Sequence, residues 1–265
     1  MPVEKQLSDE IYKELFSVNY ELQSMVNTIY EKGGYPNNKR NRIASAFLAK
    51  SIKTNYAIVK LCKYGYGEDA VILARSIFDI LVDLLYMLRF KRDTMLDRYE
   101  LWDYVIRAKM LNVEGKTRNQ KKLIREREKN PKPGDESYVE INRHAQKAKK
   151  RFKYRSDTWR PHQLNIMAGK VGMGHAYKTM FKLHSQVVHT APRIINNYAV
   201  VSGNDIHYSS APSHLYLKDA LIAGFWLSAQ VLKKFSELTN VIKRDDIVML
   251  EAKHALAVGK VLKAW

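Results

Sequence analysis

The chain has 265 residues, of which 46% are hydrophobic and 27% charged, enough apolar surface for one large core or two small ones and too much for wholesale disorder. Lys and Arg number 45 against 27 Asp and Glu, a formal net charge of +18, which favours a polyanionic partner because cations that neutralise phosphates release condensed counterions. Cys62 is the only cysteine, which excludes an intrachain disulfide and suits a reducing compartment.

The opening stretch, "MPVEKQLSDEIYKEL", carries early acids and no apolar core of a signal peptide. Ser8 is a candidate N-cap. Ile11, Leu15, Val18, Leu22 and Met25 then fall on one helical face, and Gly33-Gly34 end the helix. A second helix is expected from Arg40 to Tyr64, stopped by "GYG" at 65–67. Cys62 lies on its apolar stripe, so it reads as a buried, inert thiol. A third helix, Glu68 to Phe90, is apolar almost all round and therefore central. Arg75, Asp79 and Asp83 interrupt it, which argues against a membrane span. A fourth opens at Asp93-Thr94, with Leu96, Tyr99, Trp102, Val105 and Ile106 sharing a face.

The middle of the chain changes character. Between Lys116 and Arg155 there are 15 Lys or Arg and 5 acids, with "NPKPGDE" at 130–136 as a loop between two basic helical arms. Short helical pieces follow, among them "GKVGMG" at 169–174, which resembles a phosphate-binding glycine loop by letters only, since no strand precedes it. The helix "AYKTMFKLHSQVVH" comes next. Residues 202–212 form a loop with room for a short strand. Ser213 is the candidate N-cap of a long apolar helix, and a last amphipathic helix covers Asp245 to Trp265. The expected fold is all-α: a bundle of about seven to nine helices in a single domain over 1–265, with 116–155 as a basic helical-hairpin insertion.

Signatures of metal and cofactor chemistry are missing: Glu-x-x-His occurs once, at Glu251 and His254, not twice as a di-metal bundle needs, and no His-Glu-x-x-His and no phosphate loop are present, so no metal or cofactor is expected. Arg155 and His162 match the Arg-spacer-His pattern of helical ribonucleases of the HEPN superfamily. With 16 Arg and 8 His in the chain such a match arises by chance, and Pro161 breaks any continuous helix there.

Two constellations carry chemistry. On the third helix Arg75, Asp79 and Asp83 stand at four-residue spacing on one side of an apolar helix. They make either an intrahelical ion pair or a polar pocket. On the helix before Pro192, Ser185 lies one turn before His189, while His184 points about 100° away. A hydroxyl so placed can fix the tautomer of an imidazole, which serves a structural histidine and a general acid or base equally.

The two blocks "AVILARSIFDILVDLLYML" (70–88) and "TWRPHQLNIMAGKVGMGHAYKTMFKLHSQVVHTAP" (158–192) resemble the bacterial family filed as domain of unknown function 5677. Its members share an Arg-Ser-x-x-Glu helix, a Trp-containing linker, a helix with a Tyr, and a closing Ser-x-x-x-His. Arg75, Ser76, Trp159, Tyr177, Ser185 and His189 stand at the matching positions, with Asp79 in place of the Glu. The resemblance spans roughly 45–200 and implies a helical cytoplasmic bacterial protein without supplying an activity.

Three functions are compatible with these observations. The first is nucleic-acid binding, RNA in preference to DNA, by Lys147, Lys149, Lys150, Arg151, Lys153 and Arg155, with Phe152, Tyr154 and Trp159 interleaved either as base-stacking platforms or as core aromatics. The second is a metal-independent endoribonuclease with Arg75, Asp79, Ser185 and His189 as its site, set in phage defence or a toxin system by analogy of fold. The third is a non-catalytic scaffold that forms homo-oligomers. The geometric expectation is that helices 68–90 and 175–189 pack together, with Arg75 or Asp79 in reach of His189.

Overall fold

The computed structural model describes residues 3–90, 92–114, 136–154, 158–188, 198–202, 205–208 and 211–263, with 122, 126 and 129 as isolated positions. It is built almost entirely of helices. The elements are α1 (Val3–Lys32), α2 (Lys39–Lys63), α3 (Gly67–Arg89), α4 (Arg92–Glu114), α5 (Tyr138–Phe152) and α6 (Leu164–Lys170). Helix α7 runs through Gly174–Ala176, a π-helical turn Tyr177–Phe181, and Lys182–Val188. Strands β1 (Ala199–Ser202) and β2 (Asp205–Tyr208) then pair as an antiparallel hairpin, and α8 (Leu217–Thr239) and α9 (Arg244–Lys263) follow. No helix among the described residues is long and apolar enough to cross a membrane.

Contacts divide the chain into two compact units, one of Met1–Tyr86 with Asn165–Trp265 and one of Met87–Leu164. In the first, α8 is the central element. Its buried residues span nearly the whole helix, from Leu217 through Phe225 to Phe235, because α1, α2 and α9 all pack on it. Gly224 lets α2 come close: a Cβ there would stand 3.1 Å from Asn55 Nδ2 and 3.2 Å from Ile58.

A buried polar ladder fixes the register of α1, α2 and α8. Gln23 Nε2 donates to Asn55 Oδ1 at 2.6 Å, and Asn55 Nδ2 donates to Asn19 Oδ1 at 2.8 Å. Asn19 Nδ2 donates to the carbonyls of Leu15 (2.8 Å) and Leu221 (3.3 Å). A slip by one residue would leave these amides unpaired in an apolar core, at about 1–3 kcal/mol each.

Two expected helix starts move. Helix α1 begins at Val3, so Ser8 is inside it; "VEKQLS" holds ordinary helix formers and nothing that breaks the ladder. Helix α8 begins at Leu217, capped by Tyr216 at φ 61°, not at Ser213. Ser213 is occupied elsewhere: its N–H donates to the Gly65 carbonyl at 2.8 Å, and it forms a parallel bridge with Tyr66. "GYG" thus both ends α2 and anchors the chain entering α8.

In the second unit α4 and α5 lie against each other and share a small core of Val105, Ala108, Ile141, Ala145 and Ala148. Ser137 caps α5 in a full capping box with Glu140. Glu136 is held by Tyr104 Oη at 2.9 Å and Arg107 Nη1 at 2.6 Å, which pins the start of α5 to α4. The loop expected over 130–136 lies outside the described residues except at Glu136.

Candidate functional site

The basic segment of the second unit acquires its geometry from this packing. With Ile141, Ala145 and Ala148 turned into the core, helical periodicity sends Arg143, Lys147 and Lys150 outward in one line, at spacings of four and three. Lys149, Arg151 and Lys153 are also exposed and flank that line. Arg151 spends its charge on Asp97, with Nη2 to Oδ2 at 2.7 Å. Among the described residues Arg143, Lys147, Lys149, Lys150 and Lys153 form no ion pair. Arg143 stands outside the dense basic run 147–155, and its spacing to Lys147 and Lys150 is the sequence signal that joins it to them. Arg155 lies outside the described residues.

Trp159 is a core group and Tyr154 packs against the core, so the stacking reading of these two is corrected, while Phe152 is half-buried with its ring 5.8 Å from that of Tyr154. Trp159 is only 6% exposed and packs edge-on against Tyr99 at 5.3 Å. Tyr154 packs on Trp102 at 4.8 Å, and its hydroxyl donates to the Arg98 carbonyl at 2.9 Å. Burial pushes the Tyr154 phenol up to about 12. Arg98 gathers this end together. It is buried, donates from Nε to the Trp159 carbonyl at 2.5 Å and from Nη1 to the Phe152 carbonyl at 2.6 Å, and lies 4.5 Å over the Tyr154 ring. These bonds fasten the exit of α5, where Lys153 turns left-handed at φ 45°. The cationic face is therefore rigidly mounted at both ends.

In the first unit α3 and α7 pack together as expected. Phe78 meets Phe181 at 5.3 Å and Tyr177 at 6.3 Å, and Tyr177 stacks on Phe181 at 4.9 Å. Arg75 reaches across: its guanidinium lies 4.4 Å over the Phe181 ring, and Nη1 donates to Ser185 Oγ at 3.3 Å. The Ser185 hydroxyl oxygen thus accepts from Arg75, which leaves its O–H as a donor. Asp79 is half-buried and Asp83 buried on the same helix. His189 lies outside the described residues. His184 is the buried imidazole of α7, and burial pulls it down to about 4, so it is neutral at physiological pH.

The turn Tyr177–Phe181 is π-helical, which widens the helix by one residue per turn and swings Phe181 under Arg75. Cys62 is buried, with its thiol pushed up by burial and directed at the Leu217 carbonyl, 3.9 Å away. Among the described residues no three His, Cys, Asp or Glu are placed to hold a metal ion.

Fold and site define a helical protein with a half-buried Arg–Ser contact in one unit and a cationic helix face in the other. The chain matches the family of unknown function DUF5677 over residues 41–207, well over half its length, and belongs to it. No curated protein and no solved structure matches the chain.

Proposed function

We propose that the chain binds nucleic acid, RNA in the first instance, through the exposed face of α5. The observation that carries this is the row Arg143, Lys147 and Lys150 flanked by Lys149 and by Lys153 at the helix C-cap, five exposed cations that form no ion pair among the described residues. Holding like charges together on a braced helix costs stability, and a run of phosphates offsets that cost. With Trp159 and Tyr154 committed to the core, the contacts are to the backbone, so the binding is electrostatic and weakly sequence-dependent. Fluorescence anisotropy with labelled single-stranded RNA, single-stranded DNA and duplexes at two salt concentrations tests it. Affinity should fall as salt rises, with a log–log slope of about −3 to −4 on duplexes if four phosphates are neutralised. Absence of binding at low salt, or binding without a salt slope, rejects the reading.

A second reading concerns the first unit. The contact of Arg75 with Ser185 joins the two sequence blocks that carry the family pattern. An endoribonuclease of HEPN-like type would use Arg75 to stabilise phosphate charge and His189 as acid or base. Incubation of total RNA with the protein and with His189→Ala decides it: equal cleavage by both, or by neither, defeats the assignment.

A further inference from the structure

We propose that the outer face of α9 is the surface through which two copies of this chain associate, antiparallel, about a two-fold axis. The proposal is independent of the nucleic-acid reading.

Helix α9 is apolar on two opposite sides. Its inner side, Ile247, Leu250, His254, Ala257 and Val261, is buried against the unit. Its outer side carries Val248, Ala252, Ala255, Gly259 and Leu262, at successive spacings of 4, 3, 4 and 3 residues. That is the seam of a helix pair, not the polar back of a surface helix. Leu256 is 68% exposed, Leu262 58% and Val248 46%, all large side chains in water. Met249, 59% exposed, continues the patch into a cleft of about 620 Å³ between α1 and α9.

Gly259 supplies a second, independent observation. Glycine inside a helix costs about 1 kcal/mol relative to alanine. Two other helical glycines, Gly67 and Gly224, are explained by close approach, but a Cβ on Gly259, as on Gly169 of the short α6, would meet nothing within 4 Å. Its want of a side chain has no use inside one copy. A second helix laid on the seam would use it.

Charge selects the orientation and the occupant. The flanking charges Lys253, Lys260 and Glu251 are tied within the copy, to Glu21, to Glu14 and to Gln230 with Lys233. The ends remain: Arg244, Asp245 and Asp246 sum to a negative first turn, and Lys263 makes a positive last turn. Parallel copies would set like against like. Antiparallel copies set the acidic turn of each against the basic turn of the other, which also opposes the helix dipoles. In that register Val248 lies over Gly259 of the second copy, and Ala252 faces Ala255. A helix of this length is about 30 Å long, so the pair buries less than the roughly 1,600 Å² of a standard interface, and the dimer is a weak one, formed at about 10–100 μM.

Sedimentation equilibrium of the full chain, with oxidative cross-linking, tests this. The native thiol is buried, so introduced cysteines are the reactive ones. A monomer–dimer equilibrium is expected in the wild type. Leu256→Glu with Leu262→Glu should abolish it while leaving the thermal melt unchanged. Val248→Cys and Gly259→Cys should give a disulfide-linked dimer when mixed and little when alone, since like positions lie about 16 Å apart along the antiparallel axes. A wild type that stays monomeric at about 100 μM, a dimer that survives both glutamates, or cross-linking of each variant with itself overturns the proposal.

Discussion

Arg75 Nη1 stands 3.3 Å from Ser185 Oγ across 110 residues of chain, and the same guanidinium covers the Phe181 ring at 4.4 Å. One side chain thus ties α3 to both halves of α7, the π turn and the α-helical turn beyond it. Ser185→Ala should cost about 0.5–1.5 kcal/mol, one hydrogen bond. Arg75→Ala should cost about 1–3 kcal/mol, since it also loses the ring contact. Urea unfolding of the two single variants and the double variant measures the coupling, expected at about 0.5–1.5 kcal/mol; strictly additive losses would mean that the contact carries no energy.

Arg98 should be the most sensitive residue of the second unit. Its truncation to alanine strands the carbonyls of Trp159 and Phe152 and removes the cation over Tyr154, for a loss of about 3–5 kcal/mol. Lysine, with one donor group and no planar fork, should rescue little of it. Hydrogen exchange of the α5 amides in Arg98→Lys reads the effect locally; protection equal to the wild type would show that the clamp is dispensable.

Gly67 and Gly259 make opposite predictions. A Cβ on Gly67 would stand 2.1 Å from the Leu215 carbonyl oxygen and 2.6 Å from Leu217 N, both backbone, so Gly67→Ala should cost at least about 3 kcal/mol. Gly259→Ala meets open space within one copy and should raise the stability of the monomer by about 0.5–1 kcal/mol. Thermal melts at low protein concentration compare the two.

Stability should fall in mild acid through two histidines. His184 and His254 are buried and held neutral, each brought down by burial to about 4 from an ordinary 6.5. The unfolded chain binds these protons first, so each contributes stability that is complete above about pH 6.5 and lost as pH falls towards about 4, at up to about 1.4 kcal/mol per pH unit. His254 stacks on Phe225 with ring centroids 4.0 Å apart, so His254→Phe keeps the packing and removes the titration. Denaturant midpoints between pH 7 and 4.5 should fall less steeply in that variant; parallel curves would exclude His254 from the acid response.

Periodicity made the long helices legible, because α2, α3 and α9 bury one continuous face each and their ends carry ordinary stops. The packing of α3 on α7 was legible too, since both carried an apolar face with a polar pair on it. The donor to Ser185 was not: spacing within one helix points to His189, which lies outside the described residues, and Arg75 arrives from another helix across a π turn that no local pattern announces. The fate of Trp159 and Tyr154 was equally hidden, because an aromatic between lysines looks the same whether it faces solvent or a buried arginine. Ser213 misled because a good cap residue is also a good bridge partner, and the glycine at 65 claimed it first.

The central claim is that the cationic face of α5 binds nucleic acid. Its most direct test is the affinity for labelled RNA of wild type and of Lys147→Glu with Lys150→Glu, measured at low and at physiological salt. Both side chains are exposed, so the fold and the melt should be unchanged. The account predicts a loss of at least about 30-fold at low salt and a salt slope shallower by about two. Equal affinity and slope in the two proteins would contradict it.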